Sequence, residues 1–215
     1  MLNFQENQDF ITAADALRKR AREMFPVSDA ARIERGLAVA ERAHGSQLRG
    51  DGTRYIVHPI RTALLTLHYE LECTADVIIA CLLHDALEDT NLHEADVATD
   101  FGEVVARYVI AVTRYRAAQE APAERHTGKI AKWKDTMKAD RQVRIIKTFD
   151  YCDNVISWKF IKPEMPAYKK IPRWLHEAIE MYLPLARITN DNASRLIQSE
   201  IEYYLSIGHE FGNEL

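Results

Sequence analysis

The chain has 215 residues, 47% of them apolar, with only eight glycines and seven prolines, which is enough for one sizeable core and short for two domains. Its formal net charge of -4 gives no general surface for polyanions, so nucleic acid is not an expected partner. No apolar run approaches bilayer length, and Met1-Leu2-Asn3-Phe4-Gln5-Glu6 lacks the basic start and apolar stretch of a secretory signal, so neither membrane insertion nor export is expected.

Residues 8–25 place Phe10, Ala13, Ala14, Leu17 and Met24 at a helical period, and Pro26 ends that helix. A second helix, about 29–46, is capped by Ser28-Asp29, carries Ile33, Leu37, Ala40 and Ala43, and stops near Gly45. Residues 1–28 therefore read as an N-terminal helical extension, and 29–215 as a domain with a single core. Gly50-Asp51-Gly52-Thr53 is a turn. Tyr55-Ile56-Val57 has the composition of a short strand, but His58-Pro59 cuts it off, and Pro59 suits the first turn of a helix running to about Tyr69.

Thr74 caps the next helix, whose apolar run from Val77 to Leu83 leads into His84-Asp85-Ala86-Leu87-Glu88-Asp89. Another helix is expected over about 94–115. Residues 116–135 are polar, basic and poorly periodic, and read as a long loop or a frayed helix. Helices over about 136–161, 172–187 and 191–207 follow, with Pro163 and Pro166 marking a loop. The expected fold is all-α, a compact helical bundle. The three cysteines (Cys73, Cys81, Cys152) lack zinc-type spacing, and Cys81 reads as a small buried hydrophobe, which suits a reducing cytoplasm.

The chemistry concentrates where apolar sequence meets ionisable groups. On a continuous helix, His84 and Glu88 are i,i+4, as are Asp85 and Asp89, so all four can share one wide face. Burying such groups is costly unless something compensates, and a divalent cation takes imidazole and carboxylate directly. His58 stands at a helix start beside the rigid Pro59, and Asp150 interrupts the apolar series Val143, Ile145, Ile146, Phe149, Val155 and Ile156. His58, His84, Asp85 and Asp150 form a nitrogen–oxygen ligand set without thiolate, suited to Mn²⁺, Fe²⁺ or Zn²⁺. Glu88 or Asp89 would then handle water beside the metal. Lys147 and Asn154 flank Asp150 at i-3 and i+4 and complete a polar stripe. The alternative for each is bland: a hydrogen-bonded His-Asp pair, a solvated helix end, a snorkelling lysine. The basic series Lys129, Lys132, Lys134, Lys138, Arg141 and Arg144 reads as a solvated face, part of which can steer a polyanion inward.

Several segments together resemble the hydrolase domain of the RelA/SpoT alarmone family. They are Ala43-His44-Gly45-Ser46-Gln47-Leu48-Arg49, Gly52, Tyr55-Ile56-Val57-His58-Pro59, Leu82-Leu83-His84-Asp85 with Glu88-Asp89-Thr90, and Phe101-Gly102-Glu103 with Val112-Thr113. Ile146-Lys147 with Asp150 and Asn154, and Glu180-Met181-Tyr182-Leu183-Pro184-Leu185-Ala186, continue the match in the family's order from about residue 33 to 187. The resemblance implies a helical HD domain that uses one Mn²⁺ to remove the 3′-pyrophosphate of (p)ppGpp, a small polyphosphorylated nucleotide. It implies His58, His84, Asp85 and Asp150 as metal ligands, Glu88 and Asp89 as catalytic acids, and Arg49 and Asn154 at the nucleotide. Because the chain stops at Leu215, it resembles a stand-alone small hydrolase of that family. Three positions depart from the pattern: Gly50-Asp51 after Arg49, Tyr151 where a basic residue is usual, and Ala178 in the penultimate helical segment. They touch base and phosphate recognition, so an adenine alarmone stays open. The rival readings are another HD phosphohydrolase, such as a 5′-nucleotidase, and a catalytically silent alarmone-binding module.

Overall fold

The computed structural model describes residues 9–115 and 119–208. Among them the chain is helical almost throughout. Helix α1 (Phe10–Met24) starts where the Asp9 carboxylate accepts the Thr12 N–H, and ends before Pro26. It buries Ala13, Ala14, Leu17 and Ala21 against α2 (Val27–His44) and α3 (Val57–Tyr69).

Two helices at the centre are buried on nearly every face. In α3 each residue from Val57 to Leu67 is buried, and in α4 (Ala75–Leu83) every residue but Asp76 is. A helix with no exposed face must be covered on all sides. The cover comes from α2 and α7 (Glu103–Val112) over α4, from α1 over α3, and from α9 (Arg141–Ser157) against both. Helix α12 (Asp191–Ser206) closes the outer side of α9. The site forms where the start of α3, the end of α4 and the middle of α9 meet.

The local structure departs from the sequence reading at six places, most with an identifiable cause. Tyr55-Ile56-Val57 is no strand: among the described residues the only bridge pairs Leu48 with Arg54, and Val57 already begins α3. The helix bearing His84 is not continuous, because α4 ends at Leu83 and a short α5 (Ala86–Asp89) follows, with Asp85 at φ -100°, ψ -7° between them. The 94–115 segment is two helices, α6 (Glu94–Phe101) and α7, parted by Gly102 at φ +91°.

The polar 116–135 stretch contains a regular helix, α8 (Pro122–Lys138), begun by Pro122 at its first position and by Glu124 accepting the Ala121 N–H. Residues 116–118 lie outside the described part. The 136–161 helix begins only at Arg141. Finally, 172–187 is α10 (Ile171–Glu177), a widened π-type turn over Ala178–Tyr182, and α11 (Leu183–Arg187). Pro184 has no N–H to offer the Glu180 carbonyl, which accounts for the loosened turn just before it.

Candidate metal centre

His58 stands in the first turn of α3, and its Nδ1 lies 2.6 Å from Asp153 Oδ2. His84 follows the last residue of α4, where helix carbonyls lack partners, and its Nδ1 lies 2.7 Å from the Cys81 carbonyl. With both Nδ1–H groups donating backwards, both Nε2 atoms face one point and sit 3.2 Å apart. Asp85 and Asp150 close on the same point. Asp85 Oδ2 is 3.5 Å from His58 Nε2 and 3.1 Å from His84 Nε2, and Asp150 Oδ1 is 3.1 and 3.6 Å from them.

These separations have a plain meaning. Ligands held about 2.1 Å from one cation stand about 3.0 Å apart in an octahedron and about 3.4 Å apart in a tetrahedron. The donor atoms of His58, His84 and Asp150 all lie within 4.8 Å of one another, and Asp85 joins them through both imidazoles. Two imidazoles and two carboxylates so placed fit a divalent cation.

The electrostatics agree with the geometry. Burial alone would lower the His84 pKa, but the carboxylates of Asp85 and Asp150 outweigh it and push it up to about 10. Burial would raise Asp150, yet the ammonium of Lys147, 2.7 Å from its Oδ2, and the imidazoles hold it well below the usual carboxylate range. Asp85 is depressed in the same way, against its burial, by His84 and His58.

Around this centre opens a cleft of about 330 Å³, lined by Glu88, Asp89, Lys147, Asn154 and Tyr182 as well as by His58, Asp85 and Asp150. A second cleft of about 420 Å³ adjoins it, sharing Tyr55, Lys129, Asn154, Glu177 and Tyr182, and Arg49 lines that one. Arg49 donates to Asn154 Oδ1 at 3.0 Å, and Asn154 donates to Asp150 Oδ1 at 2.7 Å. All nine residues expected at the site therefore fall in one continuous region. The break after His84 alters how they get there: Glu88 and Asp89 come from α5, not from the face that carries His84. Glu88 accepts the Arg114 backbone N–H at 3.2 Å, and the Asp89 carbonyl accepts from Gln47 Nε2 at 2.7 Å. A third, mostly apolar groove of about 410 Å³ lies between α1 and α2, away from this chemistry.

Sequence reasoning missed several participants. Tyr55 donates its hydroxyl to Asp85 Oδ2 at 2.6 Å, with Asp89 Oδ2 3.3 Å away. Asp153, fully buried, takes Arg61 Nε at 2.7 Å as well as His58. The signal was present: Arg61 is i+3 from His58, and Asp153 is i+3 from Asp150 on an apolar helix. Lys129, 2.8 Å from the buried carboxylate of Glu177, brings part of the basic series to the cleft rim. Of the departing positions, Tyr151 stacks on Tyr182 with centroids 3.8 Å apart and forms a wall of the cleft.

The fold and site define an all-helical protein with a buried His58–His84–Asp150 cluster, joined by the half-buried Asp85, that could hold a divalent metal. The chain belongs to the HD domain family, whose model matches residues 36–188. It is 36% identical over 160 residues to the guanosine-3′,5′-bis(diphosphate) 3′-pyrophosphohydrolase of Aquifex aeolicus, 72% of this chain and 21% of that protein. It is 32% identical over 166 residues to a probable GTP pyrophosphokinase of Mycobacterium leprae, 77% of this chain and 20% of that one. With the bifunctional (p)ppGpp synthase/hydrolase SpoT of Escherichia coli it shares 30% identity over 177 residues, 80% of this chain and 24% of that protein. The chain thus spans about a fifth to a quarter of the length of these relatives. A solved structure of a metazoan ortholog of SpoT, described as hydrolyzing ppGpp and playing a role in starvation responses, shares the fold. Its TM-score is 0.68 at 23% identity, covering 86% of this chain and 98% of the other. Among the described residues no helix is long and apolar enough to cross a membrane.

Proposed function

We propose that this protein hydrolyses the 3′-pyrophosphate of (p)ppGpp-like alarmones in the cytoplasm, with Mn²⁺ as its cation, a small nucleotide as its partner and no nucleic acid. The observation that carries the reading is the convergence of His58, His84, Asp85 and Asp150 beneath a cleft whose rim supplies both carboxylates and cations. The homology to a protein named as a 3′-pyrophosphohydrolase and to one named as a (p)ppGpp synthase/hydrolase supports the choice of bond. Of the N-terminal extension proposed over residues 1–28, helix α1 packs in this reading on the catalytic bundle.

When bound, the cation supplies Lewis-acid charge at the attacked phosphoryl group and acidifies water. The protein does the rest. Glu88 or Asp89 orients a water and takes its proton as the water oxygen bonds to phosphorus. The bond from that phosphorus to the ribose 3′ oxygen breaks, the 3′ oxygen regains a proton, and pyrophosphate leaves with GDP or GTP. Phosphoryl chemistry depends chiefly on positioning and charge, and here Lys147, Arg49 and Asn154 hold the polyanion over the ligand set.

Purified protein with Mn²⁺ is to be offered ppGpp, ppApp and deoxynucleoside monophosphates, and the release of pyrophosphate and orthophosphate measured. Pyrophosphate from ppGpp or ppApp is the expected result, and their ratio gives the base preference. Orthophosphate from monophosphates alone would point to the 5′-nucleotidase chemistry, and no turnover with tight ppGpp binding to a silent module.

A further inference from the structure

Asp153 has no role in the chemistry above, yet it is among the most tightly bound side chains of the molecule. Its Oδ2 lies 2.6 Å from His58 Nδ1, 3.1 Å from an Arg61 guanidinium nitrogen, 3.3 Å from Ser157 Oγ and 3.6 Å from Arg49. Its Oδ1 lies 2.7 Å from Arg61 Nε, and Arg61 also donates to Ser157 Oγ at 2.8 Å. Asp153 is 0% exposed and Arg61 1%, so both charges have left water, and a buried ion pair by itself adds little to folding. The placement is also specific: Arg61 is one turn from His58 on α3, and Asp153 one turn from Asp150 on α9. The pair spans the two helices that deliver a histidine and a carboxylate to the metal centre.

We infer that Asp153 is the positioning residue of the metal centre, which fixes His58 with Nδ1 protonated and Nε2 directed at the cation, and that Arg61 serves to hold Asp153 there. This rests on the proposed metal-dependent function but concerns residues outside the ligand set. A neutral imidazole carries its hydrogen on either nitrogen, and the partner at Nδ1 decides which. His84 receives the same instruction from the Cys81 carbonyl. A backbone carbonyl is fixed by its helix; a carboxylate on a side chain needs its own restraint, and Arg61 grips it through two nitrogens. Arg49, 3.6 Å from the same Asp153 Oδ2, lines the adjoining cleft, so one carboxylate orients both a metal ligand and a nucleotide-facing cation.

The test is Mn²⁺ binding, followed by loss of the free-ion electron paramagnetic resonance signal, alongside thermal unfolding. Asp153→Asn is expected to weaken Mn²⁺ by about 10–100-fold, the usual effect of losing such a support. The double variant Arg61→Met with Asp153→Leu removes both buried charges together and guards against simple misfolding. It is expected to fold and still to bind Mn²⁺ weakly. Were the pair only a tether between α3 and α9, the folded double variant would bind Mn²⁺ as the parent does, and that result overturns the inference, as does unchanged binding by Asp153→Asn. A parent that binds Mn²⁺ but releases no pyrophosphate defeats the alarmone reading alone, whereas a parent that binds no divalent cation defeats both.

Discussion

Asp85 Oδ2 lies 3.1 Å from Nε2 of His84, its immediate neighbour in the chain. Adjacent residues on a regular helix point about 100° apart and do not face one another. The contact exists because the regular helix stops: α4 ends at Leu83, and Asp85, at φ -100° and ψ -7°, departs from ideal helix geometry before α5 begins. The break turns a pair that would diverge toward one point, and it carries Glu88 and Asp89 round to the cleft.

The same contact sets a proton and a metal ion in competition for His84 in the proposed centre. Asp85 and Asp150 overcome burial to push His84 up to about 10 in the metal-free protein, above the unfolded value near 6.5. A raised pKa means that the charged imidazole stabilises the fold fully below about pH 6.5 and that this contribution fades as pH rises through about 10. The melting temperature of metal-free protein should therefore fall on the alkaline side, with Mn²⁺ removing the fall because the cation replaces the proton. Metal binding must expel that proton, so Mn²⁺ affinity should rise with pH by up to about tenfold per unit below pH 10. Calorimetry in buffers of different ionisation enthalpy reads the proton release directly. Binding that is flat with pH would show His84 already neutral.

How much of this was legible in the sequence follows from what each feature depends on. The candidate ligands stood out because ionisable groups there adjoin or interrupt apolar runs, and the structure does bring His58, His84, Asp85 and Asp150 together. Helices α1, α3, α9 and α12 were legible from period, proline and cap, although the start of α9 was read five residues early. The break at Asp85 was not, because neither glycine nor proline marks it; tertiary packing around the metal centre imposes it. Helix α8 was missed since it has little apolar face to show a period. Tyr55 and Asp153 gain meaning only across 30 and 95 residues of chain, respectively.

Tyr55 offers a test of positioning without change of fold. Its hydroxyl donates to Asp85 at 2.6 Å while standing 3.3 Å from Asp89, so it joins a metal ligand to a candidate acid. Tyr55→Phe keeps the ring that stacks on His44 with centroids 4.8 Å apart. A hydrogen bond to a charged group is worth about 1.5–3 kcal/mol. If it acts in the transition state, kcat should fall about 10–100-fold, with KM and melting temperature nearly unchanged. A loss confined to KM would place Tyr55 with the nucleotide instead.

Gly102 tests the hinge between α6 and α7, remote from the chemistry. Its φ of +91° and ψ of 166° suit only glycine, although no atom lies within 4 Å of where a Cβ would stand. The strain is therefore in the backbone and not in packing. Gly102→Ala should destabilise by about 1–3 kcal/mol, read by urea unfolding, and leave turnover per folded molecule as it was. A neutral effect would mean that the α6–α7 corner relaxes freely.

Glu88 separates acid–base work from metal holding. It lines the cleft but is no member of the ligand cluster, and its carboxylate takes the Arg114 backbone N–H at 3.2 Å, with Arg114 Nε 4.0 Å away. Those contacts fix its direction from the α7 side, which a water-orienting carboxylate needs. Glu88→Gln keeps the shape and the Arg114 contact while removing the charge and the ability to take a proton. General-base catalysis contributes about 10²–10⁴-fold, so kcat should fall within that range while Mn²⁺ affinity stays close to the parent's. Asp85→Asn should lose both together. If Glu88→Gln retained full turnover, the water-handling role would pass to Asp89, which lines the same cleft on the side where Tyr55 and Gln47 hold it.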